Sequence, residues 1–371
     1  MNLSDVYTTY LPWIEAELRA ILACPHPDVS RHYGMMGYHM GWLDADLQPA
    51  QAPAGKMIRP LLCLLACAAA GGDSWQAVPA AAGLELLHNF SLVHDDIEDK
   101  GATRRQRPTV WVLFGKPQAC NAGDGMFSLA HLAFHRLAAR GVPAPVILDV
   151  LRVFDEMCVA LTEGQFLDMA FENRQQVTLD EYLAMIRGKT GALLAAAPQI
   201  GALIAGAPPA AVDAYRRYGA ALGLAFQLQD DVLGIWGDEA VTGKSAAGDI
   251  LSKKKTLPVL YALAHPAVAA ELTARYAGPA FTLGDVPHIL ALLDAAGARA
   301  YAETRVQDAI AEARQAMQAA ALVAEPSAHA ALGELLGTLF GLATPYPVFG
   351  RPLVAKSSST ASTNTSPLTT C

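Results

Sequence analysis

An all-α fold is what this sequence predicts, and three observations carry the prediction. The 371-residue chain is 53% hydrophobic but only 7% aromatic, with an Ala/Leu-rich texture, which is the composition of packed helices. Strand-like alternation is nearly absent, while apolar runs recur at helical spacing. Two acid clusters, Asp95-Asp96-Ile97-Glu98-Asp99 and Asp230-Asp231, each follow an apolar helical stretch.

Taken in chain order, Val6 to Ala23 reads as an amphipathic helix, and a Pro/Gly/His-containing segment follows it. Residues 1–55 are therefore expected to form an N-terminal extension packed on a helical bundle. Arg59 to Cys67 is apolar but too short to span a bilayer, so it reads as a core helix. Leu86 to His94 is mostly apolar and reads as a buried helix that delivers the first acid cluster into a cavity. Gly191 to Ala197 is another core run, and Pro198, Gln199, Pro208 and Pro209 break up the longest low-charge stretch, so no membrane span is expected. Asp95 and Asp230 stand 135 positions apart. Each cluster is useless as half a site, so the two helices should face each other across one cavity, and residues 56–350 should be a single catalytic domain. The Ser/Thr-rich stretch 356–371 reads as a disordered tail.

The net charge of −8 and the lack of a basic stripe argue against a nucleic-acid partner. The six cysteines include no CxxC pair and most lie in apolar runs, as in a reduced cytoplasmic protein. The polar first ten residues suggest no signal peptide. Several carboxylates entering a greasy sequence are costly unless a cation compensates them, and no nearby Lys/Arg run is dense enough. A hydrated Mg²⁺ shared with substrate phosphates is the usual compensator. On a helix, positions i and i+4 lie within roughly 40° of each other, so Asp95 and Asp99 share a face with Asp96 at its edge. His88 falls two turns below Asp95 on nearly the same face.

The stretch Leu87-His88-Asn89-Phe90-Ser91-Leu92-Val93-His94-Asp95-Asp96-Ile97-Glu98-Asp99, followed by Arg104-Arg105 and Pro108-Thr109, resembles the first aspartate-rich region of the trans-isoprenyl diphosphate synthases, or polyprenyl synthetases. Phe226-Gln227-Leu228-Gln229-Asp230-Asp231, with Gly243-Lys244, Gly248-Asp249 and Lys254-Lys255-Thr256, resembles the second. Gly55-Lys56, Arg59-Pro60, Gly164-Gln165, Asp168 and Lys189-Thr190 fall in the same order, so the resemblance spans about residues 50 to 345. It implies an all-α, isoprenoid-synthase-type bundle around a deep central cavity, and a homodimer. It also implies condensation of isopentenyl diphosphate with an allylic diphosphate (dimethylallyl, geranyl or farnesyl).

On that resemblance, Asp95, Asp96, Asp99, Asp230 and Asp231 hold two or three Mg²⁺ ions, for which Mn²⁺ could substitute. Arg104, Lys189, Lys244 and Lys254 add positive charge to the allylic diphosphate, while Thr190 and Gln227 donate hydrogen bonds. Lys56, Arg59, His88 and Arg105 form a metal-free pocket for isopentenyl diphosphate. Phe90 and Ser91, five and four residues before Asp95, lie about 6 to 7.5 Å below it and would floor the growing chain. One aromatic and one small residue there imply a twenty-carbon product, geranylgeranyl diphosphate. The chain departs from the family pattern where Gly234 replaces the last acid of the second motif and Met57 replaces a charge beside Lys56. A terpene cyclase or a non-catalytic partner subunit are the alternatives. A cyclase needs no second diphosphate pocket, and the intact first acid cluster opposes a silent subunit.

Overall fold

The computed structural model describes residues 2–53, 55–237, 247–320 and 325–341. The first helix, α1 (Leu3–Ile21), opens on a reciprocal cap in which Asn2 and Asp5 each accept the other's backbone N–H. Its Leu3, Val6, Ile14 and Leu18 are fully buried at helical spacing, each worth about 1.5–3 kcal/mol of apolar transfer. They pack on α4 (Ser74–Glu98) and on the C-terminal helix Pro326–Leu339. The N-terminal helix is thus a wall of the principal core.

Four further helices build that core: α3 (Ile58–Ala69), α6 (Lys116–His135), α9 (Ala192–Ile204) and α10 (Pro209–Trp236). α4 lies between α3 and α6; α9 lies between α3 and α10; and Ala298–Ala320 closes the other side of α10. α7 (Ala144–Asn173) runs against α9. A smaller core of Ile250, Val259, Leu272 and Leu293 sits under the short helices after α10.

Two local irregularities matter for the site. α2 (Ser30–His39) and a two-stranded hairpin, β1 (Thr103–Arg104) and β2 (Arg107–Pro108), flank the end of α4. Between α8 (Leu179–Ile186) and α9, residues Arg187–Gly191 form a π-turn, a bulge that often marks a functional site. Gly164 makes room for it on α7, because a Cβ there would lie 2.1 Å from the backbone nitrogen of Lys189.

Candidate active site

The lower half of the site is cationic. Arg59 enters from the first turn of α3, His39 from the end of α2, His88 from α4, and Arg104, Arg105 and Arg107 from the hairpin. Arg105 and Gln106 form the two-residue turn with φ of 51° and 63°. Non-glycine residues in that region cost on the order of 1–3 kcal/mol each, a strain that concentrates at functional sites. Arg107 holds the hairpin down by donating to Tyr38 O (3.1 Å) and Leu43 O (2.6 Å).

The anion facing this group is Glu85, which is 2% exposed. Burial raises its pKa, against Arg59, Asn89 and Arg105. Asn89 Nδ2 donates to Glu85 Oε1 at 2.9 Å, and its Oδ1 accepts from Arg105 at 3.5 Å. Burial draws the Arg59 guanidinium down to about 10, and His39 down to about 3 with Arg105 and Arg104 adding to the effect. Burial, then Arg59 and Arg105, keep His88 neutral as well. Arg59 Nε and His39 Nε2 are buried without a hydrogen-bond partner, a state that a bound anion would relieve. Lys56 stands exposed on the loop beside Gly55, whose Cα faces the Arg105 guanidinium.

The upper half is acidic. Asp95 is half-buried on the last turn of α4 and Asp99 caps it. Burial raises the Asp95 pKa; Lys189 opposes this, while Asp99 and Glu98 reinforce it. Lys189 Nζ donates to Asp168 at 2.6 Å and stands 3.9 Å from Asp95, so the π-turn carries it between α4 and α7. Burial pulls the Lys254 ammonium down, but Asp168, Asp249, Asp231 and Asp230 outweigh it and leave its pKa above the ordinary lysine value. Its neighbours are spent elsewhere: Lys253 donates to Gly278 O at 2.7 Å and Lys255 to Phe171 O at 2.8 Å. Asp95 and Asp99, with Glu98 beside them, offer hard oxygen crowded with like charge, which fits a hard divalent cation.

Asp96 and Asp231, both expected as metal ligands, are each held by protein donors. Asp231 is 2% exposed and sits in a ring of donors. Oδ1 accepts from Gln227 at 3.2 Å, while Oδ2 accepts from the Tyr182 hydroxyl and from Leu257 N at 3.0 Å. It ties α8 and α10 to the start of the helix Leu257–Ala264. Gln227 in turn accepts from Thr190 Oγ1 at 2.8 Å, so these two expected diphosphate donors bond to each other. Asp96 is 4% exposed and accepts from Arg104 Nε at 2.8 Å, which places it on the cationic side. Gln165 donates to Glu98 at 2.6 Å. Lys244 lies outside the described residues.

Asp249, part of the second motif's resemblance but given no role there, lies against Gly234. A Cβ at Gly234 would lie 2.1 Å from Asp249 Oδ2, so the carboxylate absent from the second motif is met in space by one from Gly248–Leu251. Glu85 was missed, although a lone acid inside the apolar run from Ala77 to Leu87 was the available signal. Phe90 and Ser91 lie below the acid face. Phe90 stacks at 5.0 Å on Phe127 of α6 and at 4.7 Å on His94, and Ser91 Oγ donates to His88 O at 2.8 Å.

Comparison with known proteins identifies relatives of the chain. The family described as polyprenyl synthetase matches residues 40–293. A (2E,6E)-farnesyl diphosphate synthase of Mycobacterium bovis is 48% identical over 231 residues, which are 62% of this chain and 63% of the relative. The match thus spans less than two thirds of that relative's length. A geranylgeranyl diphosphate synthase of Mycobacterium tuberculosis is 42% identical over 296 residues, 78% of this chain and 83% of the relative. The solved geranylgeranyl pyrophosphate synthase of Corynebacterium glutamicum, complexed with isoprenyl diphosphate and magnesium, is 26% identical with a TM-score of 0.76, covering 91% of this chain and 99% of that one.

Proposed function

The chain belongs to the polyprenyl synthetase family, and from that premise we propose that it is a trans-prenyltransferase. It would join isopentenyl diphosphate to an allylic diphosphate and make a short all-trans product, geranylgeranyl diphosphate. The observation that carries this reading is the division of one helix, α4, between a cationic pocket around Glu85 and His88 and an acidic face from Asp95 to Asp99. A cyclase would have no use for the first of these.

A divalent cation, bound by Asp95, Asp99 and Asp230, would supply positive charge to the departing diphosphate. The barrier is charge separation, so the protein's part is fixed electrostatics and positioning. Lys189 and Lys254 present ammonium groups to the acid face, where the allylic C–O bond breaks. Arg59 and Arg105 hold the other diphosphate, with guanidinium forks suited to phosphate, and aim its double bond at the new carbocation. A carbon–carbon bond forms, a proton leaves, and the chain grows toward Phe90 and Phe127. Among the described residues, Cys24, Cys63, Cys67, Cys120 and Cys158 are free thiols, which agrees with a cytoplasmic setting. Among the described residues no helix is long and apolar enough to cross a membrane.

Steady-state kinetics on two variants test the division. Arg105→Ala is expected to raise the KM for isopentenyl diphosphate at least about tenfold more than that for the allylic substrate. Asp95→Ala is expected to lower kcat about a hundredfold or more, the scale of losing one preorganised charge-stabilising group. Equal changes in both Michaelis constants for Arg105→Ala would show that the pockets are wrongly divided.

A further inference from the structure

Away from both pockets, the contact between α4 and α6 gathers a third set of ligating groups. His94 on α4 and Cys120 and Asp124, one turn apart on α6, bring an imidazole nitrogen, a thiol sulfur and a carboxylate oxygen within 4.8 Å of one another. His94 Nε2 lies 3.5 Å from Asp124 Oδ1, and Cys120 Sγ lies 4.0 Å from Asp124 Oδ2. We propose that His94, Cys120 and Asp124 form a binding site for a borderline transition-metal cation of the Zn²⁺ class, distinct from the acidic face.

Metal–ligand bonds of about 2.0–2.3 Å put tetrahedral ligand atoms roughly 3.3–3.8 Å apart, so small side-chain rotations close the site. The imidazole is already confined: the tilted Phe90 ring lies 4.7 Å away, and a Cβ at Gly123 would come within 2.3 Å of the ring. Glu98, one turn beyond His94, adds negative charge. Burial, then Asp124 and Glu98, raise the Cys120 pKa, so the metal-free group is a thiol. Binding replaces that proton: the S–H bond breaks, an S–metal bond forms, and one H⁺ is released. His94 Nε2 lies 3.2 Å from the acceptor Cys120 O, so coordination through Nε2 breaks this hydrogen bond and moves the ring proton to Nδ1.

A nitrogen–sulfur–oxygen set prefers Zn²⁺ or Co²⁺, whereas Mg²⁺ takes oxygen ligands. The two sites are therefore separable in one protein. An ion here would pin the last turn of α4 to α6, one residue before Asp95.

The test is a Co²⁺ titration of the full chain in excess Mg²⁺, followed by optical absorption. The expected result is a cobalt–thiolate charge-transfer band that saturates at one ion per chain. In Cys120→Ser the band disappears while Mg²⁺-supported turnover is kept. If Cys120→Ser fails to fold, Asp124→Ala serves instead and weakens Co²⁺ at least about tenfold. No thiolate band, a band undiminished in Cys120→Ser, or unchanged Co²⁺ affinity in Asp124→Ala would overturn the proposal.

Discussion

The buried histidines of the cationic pocket give the molecule its acid response. His39 has its pKa held at about 3 by burial and by Arg105 and Arg104, below the ordinary value of about 6.5. The folded state therefore stays unprotonated where the unfolded chain takes up a proton. Its stabilising contribution is complete above about pH 6.5 and declines as pH falls toward 3. The slope cannot exceed about 1.36 kcal/mol per pH unit for one group. Asp96 and Asp231, both raised to about 6 by burial, act in the opposite sense between roughly pH 4 and 6, because the folded state protonates first. His39→Gln should thus gain on the wild type in unfolding free energy as pH is lowered from 6.5 to 4, measured by denaturant titration. Parallel pH profiles would contradict this. At this scale the sequence revealed the acids and arginines, since charge in an apolar run is conspicuous. It did not reveal which oxygen of Asp231 meets Tyr182 and Leu257, because those partners are 49 and 26 positions away.

At the scale of elements, α4 carries both the acid cluster and Phe90 and Ser91, which one helix rise of about 1.5 Å per residue sets below it. Phe90 rests on Phe127, which lies 4.7 Å from His131, itself 4.8 Å from Phe154. An aromatic ladder therefore runs from α4 through α6 to α7. Ser91→Phe is expected to shorten the product from geranylgeranyl to farnesyl diphosphate, and Phe90→Ala to lengthen it, as read by mass spectrometry. Unchanged distributions in both variants would refute the floor. The helical periodicity that placed Phe90 and Ser91 was legible in the sequence. The π-turn that carries Lys189 was not, since it depends on Gly164 and Gly188 letting α7 approach its backbone. Nor was the hairpin at Arg105-Gln106, which lacks the Asn-Gly type of signal for its turn.

At the scale of the whole molecule, the helical class followed from composition, whereas the way α1 completes the core needed the packed structure. α7 leaves Leu148, Val159 and Phe166 exposed by 69%, 56% and 70%. Their spacings of 11 and 7 residues put them within about 20° of one line on the helix. Leu132 of α6 is also 57% exposed. The homodimer expected from the family resemblance would cover this stripe. Light scattering should give twice the 39.2 kDa chain mass for the wild type and a monomer for Val159→Asp; a monomeric wild type would exclude the dimer. The central claim, that α4 joins two diphosphate pockets for chain elongation, is tested most directly by one incubation. The purified chain is given Mg²⁺, isopentenyl diphosphate and farnesyl diphosphate, and the product mass is measured with and without chelator. The account predicts a diphosphate longer by one five-carbon unit, formed only when the divalent cation is present. A cyclised hydrocarbon, or no consumption of isopentenyl diphosphate with any allylic partner, would contradict it.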